Sequence, residues 1–202
     1  MPLMQRADDR LIETEAEDLS AMVDHGLRIL SALSGLAHEN MNRLDGWRFL
    51  DLGMRVERAI AVARFVRRLI EPSSVRSVAL ESGSLNCLLD LVDGQLAYRA
   101  RYLVGPARRP VLDLALFDQS HPRSVAYQVA EICLHLDQLA RQAPGELIAS
   151  AASEAKTLSD LLAATDPSVV GADWILACES ALMTVSDAIT QTYLAGLPVT
   201  TD

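Results

Sequence analysis

Leu19, Met22, Val23, Leu27, Leu30 and Leu33 recur at spacings of three and four, the period of one helical face rather than the alternation of a strand. Thr14 and Glu17 stand in the Ser/Thr-x-x-Glu arrangement that caps helix starts. The pattern predicts a first helix from about Thr14 to the region of Glu39. Leu44 to Ile70 is equally periodic and is closed by Pro72 with Ser73 and Ser74. A third helix is expected from Ser82 or Ser84 through Leu88, Leu91 and Leu96 to about Tyr102, where Gly105-Pro106 stops it. Val111 to Phe117 fits strand or helix by pattern alone, but no other segment offers a strand partner, so it reads as a short helix. Pro122 suits the first position of a helix reaching about Arg141, before a Pro144-Gly145 break. Two more helices are expected, about Glu146 to Ala164 and about Val170 to Leu194, with Gly196 and Pro198 as the stop. About seven helices joined by short connections predict an all-α antiparallel bundle.

At 202 residues, 50 % of them apolar, the chain can bury one sizeable core, and with no linker-like stretch it reads as a single domain over 1–202. No apolar run approaches the roughly 18–20 residues of a membrane span, and Met1 to Arg10 lacks the apolar stretch of a secretory signal. The expected compartment is the cytoplasm, with no membrane partner. Cys87, Cys133 and Cys178 are odd in number, far apart and set in apolar stretches, which predicts buried free thiols rather than disulfides or zinc ligands.

Charge changes the picture. The net charge of −9 argues against nucleic acid as a partner, because phosphates would be repelled. Positive charge is concentrated in the middle: Arg43 to Arg123 holds 13 arginines against 9 acids, while the flanking segments are strongly acidic. All but one of the 18 basic residues are arginine, the side chain suited to two-pronged bonds with carboxylate and phosphate.

His-Glu-x-x-His, paired Cys-x-x-Cys, glycine-rich phosphate loops and Gly-x-Ser-x-Gly are all missing. His25, His38, His121 and His135 show no ligand spacing with carboxylates, so they read as surface or satisfied core histidines, and no metal or cofactor is expected. Trp47, Phe49 and Trp174 read as core aromatics. Glu57 is the unusual residue, since its helical neighbours Gly53, Met54, Ile60 and Ala61 are small or apolar. That spacing predicts a largely buried carboxylate paired with Arg101, Arg99 or Arg123. Tyr98, Arg101 and Tyr102 share a face of the third helix with Arg99 to one side, and Arg123 falls in the first turn of the fifth, where free N–H groups favour an anion. Two readings stand: side chains that tie helices together, or an anion pocket.

Gly46-Trp47-Arg48-Phe49-Leu50-Asp51-Leu52-Gly53, followed by Arg55, Glu57, Arg58 and Ala59, resembles the second Glu-Arg signature of the alpha-E domain family. Tyr98-Arg99 with Arg101-Tyr102, and Pro122-Arg123-Ser124, match in the same order, so that the resemblance covers about Gly35 to Gln138. His121 stands where members usually carry Asn. Family domains are longer and begin with another Glu-Arg helix, so the chain resembles their C-terminal part, which predicts a dimeric or partner-bound state. The resemblance implies a helical accessory protein found with ATP-grasp proteins, transglutaminase-like peptidases and proteasome-like hydrolases, and no established reaction.

The leading expectation is therefore a non-catalytic binding or scaffold module serving an ATP-grasp amide-forming or peptide-processing system. Its polar cluster of Glu57, Arg55, Arg58, Tyr98, Arg99, Arg101, Tyr102 and Arg123 would hold an anionic group. The alternatives are an enzyme using Glu57 as general acid or base beside Tyr98 and Arg101, and a structural partner-binding protein.

Overall fold

The computed structural model describes residues 2–70, 78–142 and 146–193, with side chains over 17–69, 81–142 and 147–191. Among the described residues the chain is all-helical, with eight α-helices and no strand. They are α1 (Pro2–Asn40), α2 (Asp45–Ile70), α3 (Val78–Leu91), α4 (Gln95–Arg101), α5 (Arg108–Leu112), α6 (Val125–Gln142), α7 (Glu146–Ala164) and α8 (Ala172–Tyr193). The packing divides into two compact units, residues 1–47 and 48–202, each described by itself.

In the first unit, α1 runs straight through the Thr14–Glu17 pattern and begins at Pro2, because Leu3, Met4, Gln5, Arg6 and Ala7 upstream are all strong helix formers. Its apolar face is not core: Leu19, Met22, Val23, Leu27, Ile29, Leu30, Leu33 and Leu36 are all more than half exposed. Beyond its end the Arg43 guanidinium lies 4.1 Å from the centre of the Trp47 ring, a cation–π contact.

The second unit holds the core. From α2 come Leu52, Val56, Ala59, Ile60, Val62, Ala63 and Val66, at a spacing that keeps one stripe inward. Facing them are Leu85, Leu88 and Leu89 of α3, Val111 and Leu112 of α5, Ile132, Leu136 and Leu139 of α6, and apolar residues of α7 and α8. α6 packs beside α7 and α7 beside α8. Phe49 and Trp174 pack against this core.

The expected third helix is broken in two. Asp93 has φ 53°, the left-handed region that Asp and Gly tolerate best, and at Gly94 an added Cβ would lie 2.8 Å from Leu114 Cδ2. The Asp-Gly pair thus turns the chain where close packing leaves room only for glycine. Val111 to Phe117 is helical as expected, as α5 followed by a π-helical turn over Asp113–Phe117. Pro122 does not open the next helix. Ser124 is its cap: the Ser124 hydroxyl accepts from the Tyr127 N–H at 3.0 Å and donates to the Asp118 carbonyl, so Pro122 and Arg123 sit in the turn before α6. The stops assigned to Pro72-Ser73-Ser74, Pro144-Gly145 and Gly196/Pro198 lie outside the described residues.

The three thiols are free, and Cys178 is buried as expected, but Cys87 is exposed and Cys133 only half-buried. Cys87 falls on the outer side of α3, between the inward Leu85 and Leu88. Burial, with Glu179 alongside, pushes the Cys178 thiol up to about 12, so it is an inert core group.

Candidate functional site

The polar side chains of α2 that matter most lie one turn apart on the flank of its apolar stripe: Asp51, Arg55 and Arg58. Asp51 Oδ2 accepts from Arg55 Nε at 2.6 Å and lies 2.6 Å from His135 Nε2 of α6. Arg55 reaches onward to Glu131 of α6 at 3.2 Å, and its guanidinium carbon is 5.9 Å from the centre of the Tyr127 ring. Residue numbers rise along α2 as they fall along α6, so the two helices run antiparallel with a polar seam between them.

Asp51 is 13 % exposed and His135 8 %. Burial works to raise the Asp51 carboxyl, but the bonds from His135 and Arg55 and their charge outweigh it, holding Asp51 at about 2. A carboxylate that stays ionised is an acceptor only, so His135 carries its proton on Nε2.

One turn further along the seam lies Arg58. Burial and the like charges of Arg123 and Arg55 press its guanidinium below the usual arginine value, with Asp51 acting the other way. No hydrogen bond or ion pair joins Arg58 to a carboxylate among the described residues. Among the described residues Arg123, in the turn before α6, has a single distant ion contact, 3.8 Å to the exposed Asp93. Arg58 and Arg123 are both exposed, and each lies within electrostatic reach of the other at this end of the seam. Such a pair suits a doubly charged or two-oxygen anion, since each arginine can present two N–H groups.

The other expected site residues are elsewhere. Glu57 is exposed, not buried, and pairs with no arginine among the described residues. The physical reason is its angle on α2: at about 100° per residue it lies roughly 130° from the centre of the stripe formed by Leu52, Val56, Ala59 and Ala63, so Glu57 and Gly53 are exposed although the neighbouring Ile60 turns into the core. Tyr98 is buried, and its hydroxyl donates to the Gly105 carbonyl at 3.1 Å and accepts from the Ala107 N–H at 3.0 Å, stitching down the loop after α4. Arg101 holds Asp118 and Ser120. Burial tends to raise the Asp118 carboxyl, but the Ser120 hydroxyl and N–H and the Arg101 charge bring it below its usual value. Tyr102 donates to Asp113 at 3.4 Å; burial and that carboxylate push its phenol up. Arg99 is exposed. No hydrogen bond or ion pair links Glu57, Tyr98 and Arg101 to one another among the described residues.

Asp51, Glu131 and His135 were missed as site residues. The signal was available: Asp51, Arg55 and Arg58 share a helix flank, and His135 interrupts the apolar stripe of Ile132, Leu136 and Leu139 on α6. A second polar tie joins α2 to α8, where Glu179 bonds Arg64 at 2.7 Å and Arg67 at 3.3 Å. Among the described residues no cluster of His, Cys, Asp and Glu could hold a metal, and no helix is long and apolar enough to cross a membrane.

A family described as a predicted alpha-helical domain with a conserved ER motif matches residues 3–194. The chain belongs to the alpha-E family. Its one Glu-Arg dipeptide is Glu57-Arg58, and both residues are exposed. Uncharacterised proteins of Mycobacterium bovis and of Mycobacterium tuberculosis, strains CDC 1551 and H37Rv, are similar, each 30 % identical over 136 residues. That match covers 67 % of this chain and 14 % of each relative, so the chain spans a small part of the relatives' length. No solved structure matches.

Proposed function

We propose that this alpha-E chain is a non-catalytic binding module that holds an anionic group at Arg58 and Arg123. The observation that carries the reading is Arg58 itself: an exposed guanidinium beside the like charges of Arg123 and Arg55, with no bonded carboxylate among the described residues. Placing it there costs repulsion that a bound anion would relieve, and a charged residue of a family motif that does not serve the core is the kind that serves binding. Arg55 is already engaged by Asp51 and Glu131, so its role is to orient and to add charge.

The context we propose is the one the family resemblance implies. The anion would be a phosphate or carboxylate carried by a peptide or by an ATP-grasp partner, met in the cytoplasm, and a transglutaminase-like peptidase is a further candidate partner. The test is a thermal melt of the wild type and of Arg58→Gln with phosphate, nucleotide and acidic peptides, against chloride of equal ionic strength. Stabilisation of the wild type and not of the variant supports the reading. Equal response of both proteins, or no response of either, rejects it.

A further inference from the structure

Tyr102, Arg109, Pro110, Asp113 and Pro167 line a cavity of about 270 Å³, where the end of α4 meets α5 and the single helical turn Pro167–Val169. That is just under the roughly 300–1,000 Å³ of sites for drug-sized ligands, so there is room for a molecule of several heavy atoms. Its walls are held from more than one side. The Tyr102 ring lies 4.9 Å, centre to centre, from that of the buried Tyr98, and Arg108 Nη2 donates to the Val170 carbonyl at 3.2 Å, tying α5 to the segment after the turn. Asp113 opens the π-helical turn that ends at Phe117, an irregularity that recurs at functional sites.

Asp113 is half-buried, yet among the described residues its side chain has one hydrogen bond, from the Tyr102 hydroxyl at 3.4 Å, and no ion pair. An ionised carboxylate has about four acceptor sites, so most of this capacity is open. The other walls offer it little. Pro110 and Pro167 carry no N–H, and Arg109, one turn before Asp113, bonds Asp166 at 3.0 Å instead. Asp166 also accepts from the Ser168 N–H at 2.7 Å, which fixes it as the partner of Arg109. Arg109 and Asp166 neutralise each other, and the charge left on the cavity is the negative one of Asp113.

We propose that this cavity binds a primary ammonium group carried on a small apolar body, with Asp113 accepting its N–H bonds and Tyr102, Pro110 and Pro167 enclosing the carbon atoms beside it. A cation brings the cavity to neutrality, whereas an anion meets Asp113 and a zwitterion leaves the charge unbalanced. A primary ammonium has three donors for the open lone pairs of Asp113. A quaternary ammonium has none and relies on a cage of aromatic rings, while Tyr102 is the one aromatic residue of this lining. The site shares no residue with Arg58 and Arg123 and is opposite in charge, so the two readings stand or fall independently.

Titration of the full 202-residue chain with n-butylamine and with leucinamide, followed by backbone amide NMR at fixed pH and ionic strength, tests this, with 1-butanol as the uncharged isostere. The expected result is saturable shifts at Tyr102, Arg109 and Asp113, with a dissociation constant of about 1 mM, the range that so few heavy atoms allow. Binding should be at least about tenfold weaker in Asp113→Asn and absent with butanol. Tighter binding of butylamine identifies the natural group as a lysine-like chain end, and tighter binding of leucinamide as a peptide N-terminus; either result supports the site. Amine and alcohol are compared on the wild type, so the test holds even where Asp113→Asn does not fold. The proposal is overturned by the absence of saturable shifts with either amine at about 20 mM, by butanol binding as tightly as butylamine, or by equal affinity in a folded Asp113→Asn.

Discussion

Replacing Asp51 by Asn removes one charge and keeps the shape, in a seam where His135 and Arg55 both depend on that carboxylate. The carboxyl moves from 3.8 to about 2 on folding, which at about 1.4 kcal/mol per tenfold corresponds to about 2 kcal/mol of stability at neutral pH. Asp51 is 13 % exposed, so solvent screening takes little from that figure. Arg55 keeps Glu131 in the variant, which limits the damage, and the expected loss is about 2–3 kcal/mol, or roughly 5–10 °C in Tm for a chain of this size. The folded-state value is depressed, so this stability is fully present above pH 3.8 and is lost as pH falls towards about 2. Urea denaturation of both proteins at pH 7, and down the acid limb, measures it. The variant should lose part of the wild type's dependence on pH across that window. A variant within about 0.5 kcal/mol of the wild type at pH 7, or one with the same acid dependence, would refute the reasoning.

Glu57→Gln should change stability by less than about 0.5 kcal/mol, because Glu57 is exposed and has no ion pair among the described residues; a thermal melt showing a large loss would restore the buried pair expected from spacing. Gly94→Ala forces a methyl to within 2.8 Å of the fully buried Leu114 side chain and should cost about 1–3 kcal/mol in urea denaturation. Glu179→Gln weakens the bonds to Arg64 and Arg67 that join α2 to α8, and since Arg64 is 46 % exposed the loss should be about 1–2 kcal/mol by the same assay.

The helices were largely legible because each carries its own apolar period, and α2 and α7 fall within a residue of their expected bounds. The break at Asp93-Gly94 was harder: it depends on Leu114, twenty residues away in sequence and packed against Gly94 in space. The candidate site was half legible. Arg55, Arg58 and Arg123 stand in the expected cluster and lie near one another, but periodicity alone assigned Glu57 to a packing surface. A single helix shows which residues share a side, not which side is inward. That is decided by the wider stripe of Leu52, Val56, Ala59 and Ala63, against which Glu57 points outward. His135 was set aside for want of a carboxylate at ligand spacing on its own helix, whereas its partner Asp51 is on another.

The central claim, that Arg58 and Arg123 form an anion site, is tested most directly by isothermal titration of inorganic phosphate into the wild type, Arg58→Gln and Glu57→Gln. The account predicts saturable binding to the wild type, retained in Glu57→Gln and weakened at least about tenfold in Arg58→Gln, the loss of one charge-assisted bond pair worth about 1.4 kcal/mol. Phosphate binding of equal strength to the wild type and Arg58→Gln, or none to the wild type, would contradict it.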